Sequence, residues 1–476
     1  MKTLTGLPAE KNILDPIHGP IPITPVEYEI ISNPIFQRLR YVTQLSQTYL
    51  VFPGATHNRF QHSLGTVFIM DKLLNTLKEN DFLPGKGEHK EIIQKMRLAA
   101  LLHDCGHIPF SHTFESKMQS IDHEYIGKCI IEQSIINEQL EDNGISSKTI
   151  GGLITGEPNA KDKQFLELTT LLPLLSSHAD CDRMDYLLRD AYFTGVPYGT
   201  FDIDRITNFV ALEDQRIGYL EKAQNALEDF LFSRFQMYKI VYVHKTVIGY
   251  ELLLQKIYRK FIENYRDEIE LPFFLPSRED FNSADSEWFQ DTFYNLTESD
   301  FFTSVQKLLD SQALSENERS DLQNLYERIT HRKPIKNCFR FDNLTEAEET
   351  EYCDKEEDCY EVLKEKPEIV NHWSFLRYDP VNPVKVADSI TREEEEDMQD
   401  PKYIRIIDTN AEPGEQINLL QTKTNSYIKT LARHHRVLIS YYHEKEEAQT
   451  YIRKCARNII SADSNESHSG SARESV

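Results

Sequence analysis

The feature that most constrains this chain is an apolar run that stops on a charged pair. From Glu91 onward, Ile92, Ile93, Met96, Leu98, Ala99, Leu101 and Leu102 recur at helical steps, and the run ends at His103-Asp104, followed by Cys105-Gly106-His107-Ile108-Pro109. An apolar helix needs burial, and a Gly/Pro turn at its end delivers polar side chains to one place, so a functional site is expected here. A lone His-Asp pair is ordinarily only a hydrogen-bonded couple. The weight shifts because His57, His107, His112 and His123 crowd the same region, and because two further patches carry the same side-chain types. These are Arg59 to Gly65, with His62, and Asp180 to Tyr186, with Asp182.

His62, His103, Asp104 and Asp182 together supply two imidazoles and two carboxylates. That set suits a divalent ion, Fe, Mn, Zn, Ni or Mg, with positions left over for water and a phosphate oxygen. Thiolates are not expected to take part, since the seven cysteines contain no Cys-x-x-Cys pair. A net charge of -24 makes the bulk surface repel polyanions, which disfavours nucleic acid as a partner. Any phosphate ligand therefore needs a local basic pocket or a metal. Met1 to Asp15 holds no apolar run of signal type, and no later stretch approaches the roughly 20 apolar residues of a membrane span, so a cytoplasmic protein without membrane contact is expected.

The 476 residues are enough for about two or three domains. The expected fold class is mainly α: a helical core over residues 1–270, a smaller α+β lobe over 271–460, and a polar tail, 461–476, too poor in apolar residues to pack. Residues 1–20 read as a loop closed by Asp15-Pro16-Ile17-His18-Gly19-Pro20. Leu168 to Phe193 and Leu220 to Tyr265 each read as one long helix, and Asn418 to Arg436 as another. Tyr403 to Asp408 and Val437 to Tyr442 read as strands. The acidic runs at Glu346–Glu351 and Glu393–Glu396 read as solvated loops.

The order of His62, His103-Asp104 and Asp182 resembles the HD superfamily of metal phosphohydrolases. Longer motifs resemble the dNTP triphosphohydrolases of the sterile-alpha-motif-and-HD-domain type, without the sterile-alpha-motif domain. They are Asp15–Gly19, Phe36–Arg40, Gln44-Leu45, Val51–Ala55, His57–Gly65, His103–His112, His123-Glu124, Asp182–Asp190 and Arg234–Lys245. The resemblance covers residues 11 to 250 closely and the C-terminal lobe more loosely. It implies His62, His103, Asp104 and Asp182 as metal ligands, and Arg59, Arg183, Tyr186, Arg234 and Lys245 as phosphate contacts. It also implies Gln44, Leu45, Asp190 and Tyr242 around the sugar. His107, His112 and His123 then surround the scissile phosphate, with His112 as general acid oriented by Glu115, and with Glu124 supporting His123. Lys11, Gln37 and Arg40 match a nucleotide-activator site between subunits of a homotetramer. The family's guanine-reading acid is Ser32 here and an asparagine is Leu14, so the base of an activator stays open. The implied activity is hydrolysis of dNTP to deoxynucleoside and inorganic triphosphate. Two alternatives stand beside it: HD phosphodiester or phosphate chemistry on another nucleotide, and a nucleotide-sensing scaffold without turnover.

Overall fold

A computed structural model describes residues 1–84, 89–115, 121–294, 296–342, 346–372, 376–378, 403–408, 417–420 and 438–462. Two strands, β1 (Lys11–Asp15) and β2 (Gly19–Ile23), form an antiparallel hairpin at the front of the chain, with Asp15 opposite Gly19. The segment expected as a loop is thus a hairpin whose turn is Pro16-Ile17-His18. Its Asp15 Oδ1 accepts the backbone N–H groups of Ile17 and His18 at 2.9 and 3.0 Å, which closes the corner locally.

Behind the hairpin lie the helices that carry the three patches. They are α1 (Arg59–Glu79), α2 (Lys90–Leu102), α3 (His123–Gln133) and α4 (Cys181–Thr194). The last turn of α2 is fully buried, with Leu98 through Leu102 at 0% exposure, and this fixes where His103 and Asp104 emerge. Burying that turn forces Arg97 inside as well. Its charge is matched by Glu27 at 2.7 Å and Asp71 at 3.0 Å, as a buried cation requires. Asp71 in turn accepts from Leu4 N and Thr5 Oγ1, pinning the first residues to the core.

The expected helix from Leu168 to Phe193 is two helices. Phe165–Leu171 gives way to a 3-10 turn containing Pro173, which cannot donate into a continuing helix. The chain restarts at Asp180, whose carboxylate caps α4 by accepting Arg183 N at 2.8 Å. Leu220 to Tyr265 is likewise divided. Residues 216–220 form a strand, α5 (Gln224–Met237) runs into a π-helical turn at Tyr238–Tyr242, and His244 caps α6 (Lys245–Ile257).

The later chain adds small sheets. β3 (Val210–Glu213) and β4 (Arg216–Leu220) join β7 (Arg405–Ile407) and β8 (Ile417–Leu419) in the order β3-β4-β7-β8, with β4 and β7 parallel. A second sheet has the order β5 (Lys336–Asp342), β9 (Leu438–His443), β6 (Leu376–Tyr378). The expected strands at 403–408 and 437–442 are therefore present. The expected helix at 418–436 is a strand where it begins, and residues 421–437 lie outside the described residues. Glu346–Glu351, expected as a loop, opens the helix Glu346–Lys364: glutamate is a good helix former, and acidic side chains near a helix N-terminus meet its positive end. Glu393–Glu396 and residues 463–476 lie outside the described residues. No described helix is long and apolar enough to cross a membrane.

One group in α6 gives the fold a pH dependence. Burial pushes the Glu251 carboxyl from its ordinary 4.5 up to about 7. The folded chain then binds this proton more tightly than the unfolded chain. Below about pH 4.5 both states keep it; between about 4.5 and 7 only the native state does, so stability falls as pH rises through that window. Glu251→Gln removes the penalty. Thermal denaturation should show the variant matching the wild type near pH 4.5 and exceeding it by on the order of a few degrees at pH 8. Equal midpoints at pH 8 would contradict this account.

Candidate functional site

α1 starts at a capping box in which Asn58 Oδ1 accepts Gln61 N and Gln61 Oε1 accepts Asn58 N. That start fixes Arg59 and His62 on the first turn. α2 ends at His103, and α4 begins one residue before Asp182. Three helix termini thus meet. The ligand-type atoms of His62, His103 and Asp182 lie within 4.8 Å of one another, as do those of Asp104, His107 and His123. Asp104 joins the two groups: its Oδ2 is 3.6 Å from His62 Nε2, and its Oδ1 is 3.2 Å from His103 Nε2 and 3.2 Å from His107 Nε2. Asp182 Oδ1 is 3.0 Å from His62 Nε2 and 3.6 Å from His103 Nε2. The four residues expected as ligands therefore converge.

The chemistry of these atoms fits a cation. His103 Nδ1 donates to the carbonyl of Ala100 at 2.9 Å, and His62 Nδ1 donates to Asp185 Oδ2 at 2.7 Å. Each bond commits one ring nitrogen and turns the other, Nε2, toward the centre. Both Nε2 atoms are buried and make no well-directed hydrogen bond, although carboxylate oxygens stand 3.0 and 3.2 Å away, an arrangement that suits a cation shared between them. The electrostatics agree. Burial opposes a charge on His62, but the carboxylates of Asp182 and Asp185, with Asp104 beyond, outweigh it and carry the imidazole up to about 10. Burial likewise works against ionised Asp182 and Asp104, yet the neighbouring imidazoles, with Arg59 beside Asp104, hold both well below the usual carboxylate range. A cluster this rich in carboxylate draws positive charge, from protons when no metal supplies it. The thiols beside the ligands do not compete. Burial pushes Cys105 up to about 12 and Cys181 well above the ordinary thiol range, so both stay neutral, as the absence of thiolate motifs implies.

The expected phosphate contacts divide. Arg59 Nη1 donates to Asp104 Oδ2 at 2.5 Å and its Nε to Ser111 Oγ at 2.9 Å, so this guanidinium braces Asp104. Arg183 pairs with Asp180, while its Nε and Arg234 Nη1 are buried without a hydrogen-bond partner. Burial pulls Arg234 down, and Tyr186 beside it works in the opposite direction. Lys245 is exposed at the start of α6.

Around the expected sugar subsite, Asp190 Oδ2 accepts Tyr242 OH at 2.6 Å, and its Oδ1 lies 2.8 Å from His57 Nε2. Gln44 Oε1 is buried without a partner, and Leu45 is half-buried against the core. His107 and His123 stack, with ring centroids 3.8 Å apart. Glu124 is exposed on the first turn of α3. His112 to Glu115 is a short helix, and the side chains of His112 and Glu115 lie outside the described residues. Of the expected activator residues, Gln37 Oε1 accepts Arg40 Nε at 2.7 Å. Lys11 stands on β1, 5.4 Å from the ring centroid of Tyr28.

Residue-by-residue reading missed the layer behind the ligands. Arg38 is fully buried and donates to the carbonyls of Cys105 at 3.0 Å, His107 at 2.8 Å and Leu296 at 3.2 Å, propping the turn after Asp104. Gly106 in that turn packs against α3, where a Cβ would stand 2.1 Å from His123 O. Glu298 Oε1 accepts Thr43 N at 3.0 Å and Thr43 Oγ1 at 2.6 Å, holding the segment that leads into Gln44 and Leu45. Asp185 and Arg189 lie inside the motif Asp182–Asp190, but neither position carries an expected role in the sequence.

Comparison with known proteins places this geometry. The HD domain family matches residues 59–190, the segment that carries His62, His103, Asp104 and Asp182. The MG461 homolog of Mycoplasma pneumoniae, an uncharacterised protein, is 30% identical over 330 residues, 62% of this chain and 75% of that protein. The deoxynucleoside triphosphate triphosphohydrolase SAMHD1 of Gallus gallus is 32% identical over 280 residues, 52% of this chain and 44% of that protein. The chain spans about half the length of most curated relatives it matches. Among solved structures, a phosphohydrolase from Bacteroides thetaiotaomicron superposes with a TM-score of 0.67 at 25% identity, covering 92% of this chain and all of that one. Helices that bring two imidazoles and two carboxylates together lie within the segment matched by one domain family, and the Mycoplasma pneumoniae relative is covered over three quarters of its length: the chain belongs to the HD-domain family.

Proposed function

We propose that the protein is a metal-dependent dNTP triphosphohydrolase that releases deoxynucleoside and inorganic triphosphate. The observation that carries this reading is the pair of orphaned Nε2 atoms on His62 and His103, facing Asp104 and Asp182, beside unspent donors on Arg183 and Arg234. The first group awaits a divalent cation and the second an anion. The likeness to SAMHD1 proteins supports deoxynucleotides as the anion.

His62, His103, Asp104 and Asp182 would hold the ion, which when bound supplies Lewis acidity to water and to phosphate oxygen. Arg59 keeps Asp104 ionised and aimed. Arg183, Arg234, Tyr186 and Lys245 neutralise and orient the polyphosphate, whose roughly four charges need several donors. His107, His112 and His123 border the scissile phosphate, with Glu124 beside His123. Histidine, with its ordinary pKa near 6.5, suits proton delivery to the leaving 5′-oxygen, the role assigned to His112 with Glu115. Gln44 and Asp190 bind the 3′-hydroxyl, and Leu45 and Tyr242 close the 2′ side. Residues 1–270 carry this chemistry and 271–460 support it. Lys11, Gln37 and Arg40 form a nucleotide-activator site in a homo-oligomer, a tetramer in this reading, and the enzyme works in the cytoplasm.

Ion-exchange analysis of products from all four dNTPs and rNTPs, with Mn(II) or Fe(II), with chelator, and with nucleotide activators added, tests the proposal. Triphosphate and deoxynucleoside in the metal arm alone are expected; release of no triphosphate from any dNTP would overturn it. The sugar assignment has its own test. Tyr242→Ala removes the ring and the bond to Asp190, so the ratio of kcat/KM for dNTP over rNTP should fall by about tenfold or more. An unchanged ratio would remove Tyr242 from the sugar gate.

A further inference from the structure

The motif Asp15–Gly19 is not used by the chemistry above, yet its side chains end on Asp185 and Arg189, directly behind His62. His18 Nε2 lies 2.6 Å from Asp185 Oδ1, and Asp185 Oδ2 accepts His62 Nδ1 at 2.7 Å. Arg189 grips the same carboxylate with Nε at 2.8 Å and Nη2 at 2.9 Å, and its Nη1 reaches back to Asp15 Oδ2 at 2.9 Å. All four partners are buried: the side chains of His18, Asp185, Arg189 and Asp15 are 5%, 0%, 0% and 3% exposed. The His18 ring also packs on Phe68 of α1, with centroids 5.1 Å apart. Asp185 therefore receives four donors, and two of the groups that orient it, His18 and Asp15, belong to the hairpin corner.

We infer that the β1–β2 hairpin is a positioning element for His62, acting through Asp185, with His18 and Asp15 as positioning residues; the inference rests on the metal reading of the site. A ligating imidazole is aimed by whatever its other nitrogen meets, and partners in this second layer set metal affinity. Here that partner is not held by its own helix alone. Arg189 comes from α4, but the corner at residues 15–18 closes the cage from outside the HD segment. The hairpin's other face is open to solvent, with Lys11, Asn12 and Leu14 exposed. Force applied there moves Asp185 and so His62 Nε2. By reciprocity, an ion drawn to Nε2 tightens the hairpin.

The experiment uses the full chain. Mn(II) affinity is measured by chelator competition for the wild type, His18→Ala and His18→Gln, and amide hydrogen exchange of Lys11–Asp15 and Gly19–Ile23 is followed in the wild type with and without Mn(II). His18→Ala should lower affinity by roughly ten- to a hundredfold. His18→Gln, whose amide can still donate to Asp185, should recover most of it, a rescue that a mere packing role does not give. Loading should slow exchange in both strands. If His18→Ala does not fold, the exchange measurement decides alone. A wild type that binds Mn(II) with no change in hairpin exchange overturns the inference, as does a His18→Ala protein of wild-type affinity. A wild type that binds no divalent ion at all overturns the metal reading instead.

Discussion

Asp182→Ala is expected to yield a folded protein that retains no divalent ion and has lost phosphohydrolase turnover by about a thousandfold or more, roughly 4 kcal/mol of transition-state stabilisation. The fold should survive because the start of α4 does not depend on this side chain. Asp180 caps the helix by accepting Arg183 N and also accepts Ser177 N from the preceding turn, while the Asp182 side chain is 29% exposed and stands 3.0 Å from His62 Nε2. Catalysis should not survive, because Asp182 and Asp104 are the carboxylates, among the described residues, that reach both imidazole nitrogens, and removing Asp182 leaves Asp104 to hold a cation with the two imidazoles alone. Metal content by elemental analysis, turnover and the far-ultraviolet circular dichroism spectrum check the three parts. A variant that keeps a full complement of metal would remove Asp182 from the ligand set.

Gly65→Ala is expected to be strongly destabilising. Gly65 lies one helical turn after His62, against α4, and a Cβ there would stand 1.9 Å from Asp185 Oδ1 and 2.4 Å from Arg189 Nη2. Side-chain tips can often swing aside, but these two are tied to His62, His18 and Asp15, so moving one breaks the cage. Disrupting a buried ion pair costs about 3–5 kcal/mol, and overpacking adds about 1–3 kcal/mol. The thermal midpoint should fall by on the order of 10 °C, with metal affinity falling alongside. A wild-type midpoint would mean that α1 and α4 can separate cheaply at this point.

The two predictions concern different layers, and the layers differed in how far the sequence disclosed them. The convergence of His62, His103, Asp104 and Asp182 was legible because the two imidazoles and two carboxylates form one chemically coherent set and because His103 and Asp104 end an apolar helix. The convergence of Asp190 with Tyr242 followed from motif resemblance alone, since nothing local relates residues 52 positions apart. Asp185, Arg189, His18 and Arg38 were not legible as functional: their partners are far along the chain, and a buried Asp-Arg pair at i, i+4 looks like ordinary helix pairing until the third and fourth donors are seen. Local signals also misled. Asp180 reads as an interior residue of one helix from Leu168 to Phe193, yet it is the cap at which a second helix starts. The glutamates at 346–351 read as solvated coil because their charge was weighed and their helix propensity was not.

Arg38 ends on three backbone oxygens, and one of them, Leu296 O, belongs to the second half of the chain, two residues before the Glu298 carboxylate that clasps Thr43. The segment around the candidate site is therefore tied to the second half of the chain. Severing the polypeptide near residue 270 would strip a buried guanidinium of one acceptor and release the strap leading into Gln44. Any replacement for the second half would have to offer Arg38 a carbonyl and Thr43 a carboxylate to keep both ties.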